Sequence, residues 1–367
     1  MKVGQRGLCS VRGNYGGGIG LLSYGLASGF CIDPVEKKPL NHFLPGTPVL
    51  SFGQTGCNLT CAFCQNWNIS KHKEATLQDT LDRVSEMYGQ EVHTSSKNAQ
   101  MDEFLAFDKS RIEFSPETIA QVCIETGCKS VAFTYNDPVI FLEYAVDVAR
   151  ACRKKGIKTI AVTAGYIHAD ARKEFFAEMD AANVDLKAFS ESFYHKLCSA
   201  HLDDVLETLI YLKHETNVWF ELTDLIIPGE NDSEDEIDQM TKWVVKELGP
   251  DIPMHFSAFH PDWKMMDKPR TPPQTLIRAR EIAIKNGVRY AYTGNVHHEA
   301  GDRTSCHHCG ETLIQRDWYE LSVWNLTNEG CCQKCGTACA GVFDGAAGNW
   351  GRKRVPVHFK SDKNSKK

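Results

Sequence analysis

The sequence predicts an α/β protein: a partial or complete (β/α) barrel carrying a small zinc-ribbon-like module toward its C-terminal end. Three observations lead there. Short apolar strands alternate with helical stretches from Ser115 to about residue 300, and such alternation builds a parallel sheet because each parallel pair needs a long crossover. The 367 residues, 42% of them hydrophobic, supply one barrel-sized core and an appendage. The pattern C-x2-C-G occurs twice, at Cys306/Cys309 and Cys332/Cys335, the spacing of paired thiolate knuckles on a tetrahedral metal.

Residues 1–46 are rich in glycine and proline and read as loops and short strands draped on the barrel. In their most distinctive run, DPVEKKPLNHFLPG at 33–46, Lys37, Lys38 and His42 are candidates to face a substrate, but a solvated loop is the better expectation. The barrel is expected over 47–300. Its first strand lies in TPVLSFGQ (47–54), and later strands are expected at 129–135, 157–163, 183–188, 218–227, 253–259 and 288–293. Helices are expected at 140–155, 234–247 and 274–286. An insertion at about 71–113 holds one amphipathic helix within 75–89, read from Leu77, Leu81, Val84 and Tyr88. Residues 301–345 form the knuckle module, with LIQRDWYELSVWNL as a hairpin joining its halves, and 346–367 read as a basic disordered tail.

The net charge of -6 offers no global attraction to nucleic acid or anionic membrane. Fifteen cysteines in a chain this long, gathered in metal-type groups, point to a reducing cytoplasm rather than a disulfide framework. Residues 16–31 are too glycine-rich and short for a signal peptide or membrane anchor.

Directly after the first strand, Cys57, Cys61 and Cys64 form a C-x3-C-x2-C array. Iron-sulfur clusters of the [4Fe-4S] type take four cysteines, so three alone imply one iron open to a ligand. Zinc would want a fourth ligand, a redox dithiol needs only Cys61 and Cys64, and buried structural cysteines remain the plainest alternative. Since strand C-termini line barrel active sites, the next candidates follow. Asn136 and Asp137 in TYNDP suit either a ligand's ammonium group or a helix N-cap. Thr163 ends the third strand beside Gly165. Asp185 and Lys187 alternate onto one face, where a buried charge pair points to function. His255 and His260 are acid–base candidates, and His297, His298 and Glu299 form a weak metal signal without helical spacing. For Cys306, Cys309, Cys332 and Cys335 structural zinc is expected, with an auxiliary iron-sulfur cluster as the alternative.

The cysteine array resembles the signature of radical S-adenosylmethionine (SAM) enzymes, C-x3-C-x-aromatic-C, with Phe63 at the aromatic position. The resemblance implies a [4Fe-4S] cluster on Cys57, Cys61 and Cys64 whose open iron chelates SAM, and reductive cleavage of SAM to methionine and a 5'-deoxyadenosyl radical. It also implies Phe63 near the adenine, Asn136 and Asp137 at the methionyl end, Thr163, Asp185 and Lys187 completing the pocket, and an external electron donor. The runs DPVEKKPLNHFLPG, TYNDP and the paired knuckles resemble the AmmeMemoRadiSam branch, which is related to pyruvate formate-lyase activating enzymes. That branch usually has TYNEP where this chain has the shorter Asp137, and more cysteines than the single Cys9 of GLCSVRGN, which is assigned no role. The branch implies association with Memo-like and AMMECR-like proteins and a candidate protein substrate. A glycyl-radical activase is the alternative enzyme, and an iron-sulfur or zinc scaffold the non-enzymatic one.

Overall fold

A computed structural model describes residues 1–14, 18–71 and 114–357; the helix expected within 75–89 falls outside them. Its centre is a nine-stranded sheet in the order β10-β9-β8-β7-β6-β5-β4-β3-β14. Seven neighbouring strands run parallel: β4 (Pro48–Phe52), β5 (Ser130–Phe133), β6 (Lys158–Thr163), β7 (Ala181–Asp185), β8 (Trp219–Ile226), β9 (Met254–Ala258) and β10 (Ala291–Gly294). All seven fall within or beside the predicted spans. The order of pairing is open, so the barrel is a partial one, closed on its inner side by other segments.

After the short helix α1 (Trp67–Ser70), helices α2 (Pro116–Thr126), α3 (Leu142–Lys154), α4 (Ala169–Phe176), α5 (Leu202–Glu215), α6 (Glu234–Glu247) and α7 (Pro273–Lys285) form the crossovers. Their ends are written locally. The Ser115 hydroxyl caps α2 by accepting from Thr118 N, Pro116 sits at its first turn and Gly127 closes it at φ 70. Ser233 caps α6 in the same way and three acidic residues fill its first turn. Among the described residues no helix is long and apolar enough to cross a membrane.

The N-terminal segment departs from expectation. A small hairpin of β1 (Arg12–Asn14) and β2 (Ile19–Leu21) precedes β3 (Phe30–Pro34), which joins the main sheet antiparallel to β4. The following run is no solvated loop. Lys38 is 2% exposed and His42 fully buried, while Val35, Leu40, Phe43 and Leu44 pack on Val49, Ala132, Ile160 and Ala181 inside the barrel. The charges tolerate burial because partners meet them: Lys38 reaches the nearby Asp33 at 2.8 Å, and the backbone N–H groups of Asn41 and His42 donate to Glu221, far away in sequence.

The C-terminal module is a three-stranded antiparallel sheet of β11 (Arg303–Ser305), β12 (Thr312–Asp317) and β13 (Glu320–Trp324). Tyr290 and Tyr292 of the barrel share a core with its Leu313, Ile314 and Leu326. The tail expected to be disordered from 346 is ordered at least in part. Val355–Val357 forms β14 antiparallel to β3, with Pro356 tolerated because β14 is an edge strand.

Candidate functional site

One cavity of about 1000 Å³ opens beside the cysteine loop and runs along the inner face of the barrel. Cys57, Cys61, Cys64, Phe63, Asn136, Asp137, Asp185 and Lys187 all line it. Asp185 ends β7 and the others follow strand ends or sit in the cysteine loop, so the C-terminal edge of the sheet gathers them.

The loop is fixed by its backbone. Thr60 N and Ala62 N donate to the Cys198 and Leu197 carbonyls at 2.9 and 2.8 Å, and Lys71 Nζ reaches the Leu59 carbonyl at 2.7 Å. At φ 88, Gly56 brings the loop so close to the Cys9 carbonyl that an added Cβ would lie 2.0 Å from its oxygen. Cys9 therefore does have a place, as the backbone against which the loop closes. Phe63 is buried against Phe193, with ring centroids 5.6 Å apart.

Cys61 is buried, while Cys57 and Cys64 are half-buried. Burial pushes the Cys57 thiol up to about 12. A hydrogen bond from Cys198, with Lys187 and Lys71 nearby, lowers Cys61 to about 7 against the effect of burial. Cys198 escaped the sequence reading because a lone cysteine carries no spacing signal.

Asn136 donates its amide to the carbonyls of Gln54 and Gly56, stitching both ends of the turn into the loop. Asp137 is 1% exposed and caps the turn that begins at Pro138, accepting from Val139 N at 3.1 Å. It also accepts from the Thr163 hydroxyl at 3.0 Å and from Ala164 N at 2.8 Å. Three donors thus occupy most of its acceptor sites. Burial nevertheless raises this carboxyl to about 6. Thr163, expected to complete the pocket, does not line the cavity: it is buried with its hydroxyl taken by Asp137.

Asp185 and Lys187 share a face as the alternation required: Lys187 Nζ lies 2.6 Å from Asp185 Oδ2. Burial would depress the lysine, but Asp185 and the Cys61 sulfur outweigh it and hold the ammonium well above its usual value.

Deeper in the cavity, His255 Nε2 lies 2.7 Å from the fully buried Glu221, and the imidazole stacks on Tyr292 at 5.1 Å. Glu221 was missed by sequence reasoning, although a charge inside the apolar run of β8 was the available signal. His260, by contrast, sits in a loop and bonds Gln65 at 2.9 Å. His297 is an exposed side chain, and His298 meets Thr293 at 3.2 Å; neither they nor Glu299 converge on an ion site.

Cys306, Cys309, Cys332 and Cys335 are the one set among the described residues whose three or more ligand atoms lie within 4.8 Å of one another. Their cross pairs, Cys306–Cys335 and Cys309–Cys332, are 3.6 and 3.8 Å apart at sulfur. That is the edge of a tetrahedron with bonds of about 2.3 Å, the length of a zinc–thiolate bond. Cys57, Cys61 and Cys64 are not part of such a set.

Comparison with known proteins adds an independent finding. The sequence profile described as "Radical SAM superfamily" matches residues 52–244, which run from the end of β4 into α6. An uncharacterized protein of Methanocaldococcus jannaschii is 36% identical over 337 residues, covering 92% of this chain and 90% of that protein. Pyruvate formate-lyase-activating enzyme of Clostridium pasteurianum is 22% identical over 210 residues, 56% of this chain and 71% of that protein. Among solved structures, SuiB of Streptococcus suis superposes with a TM-score of 0.46 at 13% identity, over 72% of this chain and 52% of that one.

Proposed function

The chain belongs to the radical SAM superfamily, and on that premise we propose that it is a radical SAM enzyme of the AmmeMemoRadiSam type, abstracting hydrogen from a substrate held deeper in the same cavity. The family implies a [4Fe-4S] cluster and SAM; together they supply one-electron cleavage of the sulfonium to methionine and a 5'-deoxyadenosyl radical. The observation that carries the reading is a C-x3-C-x2-C loop whose three cysteines line the same cavity as Asn136, Asp137, Asp185 and Lys187.

The chain's own residues have distinct tasks in this account. Cys57, Cys61 and Cys64 hold the cluster, and Asn136 fixes the loop that carries them. Asp137, held from behind by Thr163, forms the wall at the end of β5 where the methionyl group would bind, and Asp185 with Lys187 forms the charged wall at β7. Phe63 and Phe193 keep water from the loop's inner side. Cys306, Cys309, Cys332 and Cys335 hold one structural zinc ion, and an external donor supplies the electron.

A second reading, activation of a glycyl-radical protein, is favoured by the likeness to pyruvate formate-lyase-activating enzyme. Against it stand the additional N-terminal segment, whose residues 35–44 pack into the barrel, and the paired knuckles at Cys306/Cys309 and Cys332/Cys335.

The test is spectroscopic. Anaerobically reconstituted and reduced protein should show a [4Fe-4S] electron paramagnetic resonance signal that shifts when SAM is added. A signal indifferent to SAM would remove the open iron and the reading with it.

A further inference from the structure

The half of the cavity away from the cysteine loop has a chemistry of its own. Asp33 is fully buried, yet three cations surround it: Lys38 Nζ at 2.8 Å, Lys37 Nζ at 3.3 Å and Arg354 Nε at 3.8 Å. The Tyr135 hydroxyl donates to it as well, at 3.2 Å. Lys37, Lys38 and Arg354 line the cavity, and so does Arg316, which is 3% exposed. Arg316 donates to Thr304 Oγ1 and the Asn41 carbonyl, but its buried Nε has no partner. Of the groups lining this half, four are cations and two, Glu36 and Asp302, are carboxylates, with Asp33 and Glu221 buried beside them; around Asp33 the ratio is three cations to one carboxylate.

The aromatic wall beside these cations is held under strain. Tyr135 has φ 76 and lies beneath Lys38, 4.9 Å from ring centroid to ammonium. Trp318 has φ 57 in the two-residue turn between β12 and β13, at the position where such a turn favours glycine. Both line the cavity. Both bulky residues sit in the left-handed region that such side chains disfavour, and both present their rings to this half of the cavity.

We infer that this half of the cavity binds the anionic head of a small aromatic or otherwise planar substrate, a carboxylate or phosphate seated among Lys37, Arg354 and Arg316 with its body against Tyr135 and Trp318. The inference deepens the radical SAM reading, resting on it only in taking this end of the cavity for the substrate's. The cavity's size suits a small molecule, and three cations sharing one carboxylate, with the partnerless Arg316 Nε, suit a charge-assisted contact.

The experiment titrates cluster-loaded protein, without SAM, by anaerobic calorimetry with phenyl phosphate, benzoate and the neutral benzyl alcohol. Phenyl phosphate or benzoate should bind at least tenfold more tightly than benzyl alcohol, and which of the two wins identifies the head group. The double variant Lys37→Gln/Arg354→Gln should weaken that binding at least tenfold. Both side chains are partly exposed, so the variant keeps its fold, checked by its melting curve; Lys242→Gln, a surface cation on α6, should change nothing. Equal binding of the neutral compound, or anion binding indifferent to the double variant, overturns the inference. The SAM-induced spectral shift, recorded on the same wild-type preparation, judges the radical SAM reading separately.

Discussion

The ammonium of Lys187 lies 2.6 Å from the carboxylate of Asp185, and both line the cavity that also holds Cys57, Cys61 and Cys64. Lys187→Met leaves Asp185 without its partner. Because the Asp185 side chain is 36% exposed, the cost to folding should be about 1–2 kcal/mol, less than for a fully buried pair. Equilibrium dialysis should show SAM affinity falling at least tenfold in the same variant. Unchanged affinity would place the pair outside the SAM pocket.

Gly56→Ala should cost about 2–3 kcal/mol, combining the strain of positive φ with a collision at the Cys9 carbonyl. The loop cannot then close as it does here, so iron content after reconstitution should fall while the barrel's circular dichroism persists.

His42 gives the protein a pH dependence. Burial holds its ring to about 4, below the ordinary 6.5, with Tyr292 at 2.5 Å and the Ala340 carbonyl at 2.6 Å occupying its two nitrogens. The folded state binds fewer protons here than the unfolded chain, so stability is complete above pH 6.5 and declines as pH falls toward 4. The full span is about 3 kcal/mol. Urea unfolding at pH 4.5 and 7.5 should show this slope in wild type and a flatter one in His42→Gln.

One equivalent of zinc per chain should survive removal of iron, and Cys332→Ser should abolish it. The sulfur spacings of 3.6 and 3.8 Å set this expectation. Iron in place of zinc, with the ratio of a cluster, would contradict it.

The parallel strands were legible in the sequence because each is a short apolar run followed by a helix with its own caps, such as Ser115 and Ser233. The site residues at strand ends were legible for the same reason: alternation alone put Asp185 and Lys187 together. Residues 33–46 were not. Two lysines, a histidine and three prolines look like surface, and what buries them is Asp33 nearby and Glu221, some 180 positions away. Pro356 and its basic flanks concealed β14 similarly, since only pairing with β3 reveals an edge strand. Asp137 shows a different limit. Asn and Asp serve equally as caps and as ligands, and only its bonds to Val139, Thr163 and Ala164 show that the cap is occupied.

The central claim is decided by product. Reconstituted, reduced protein supplied with SAM under anaerobic conditions should form 5'-deoxyadenosine, and a variant with alanine at Cys57, Cys61 and Cys64 should form none. A fully loaded, reduced cluster that binds SAM yet yields no 5'-deoxyadenosine, with or without candidate substrates, would contradict the account.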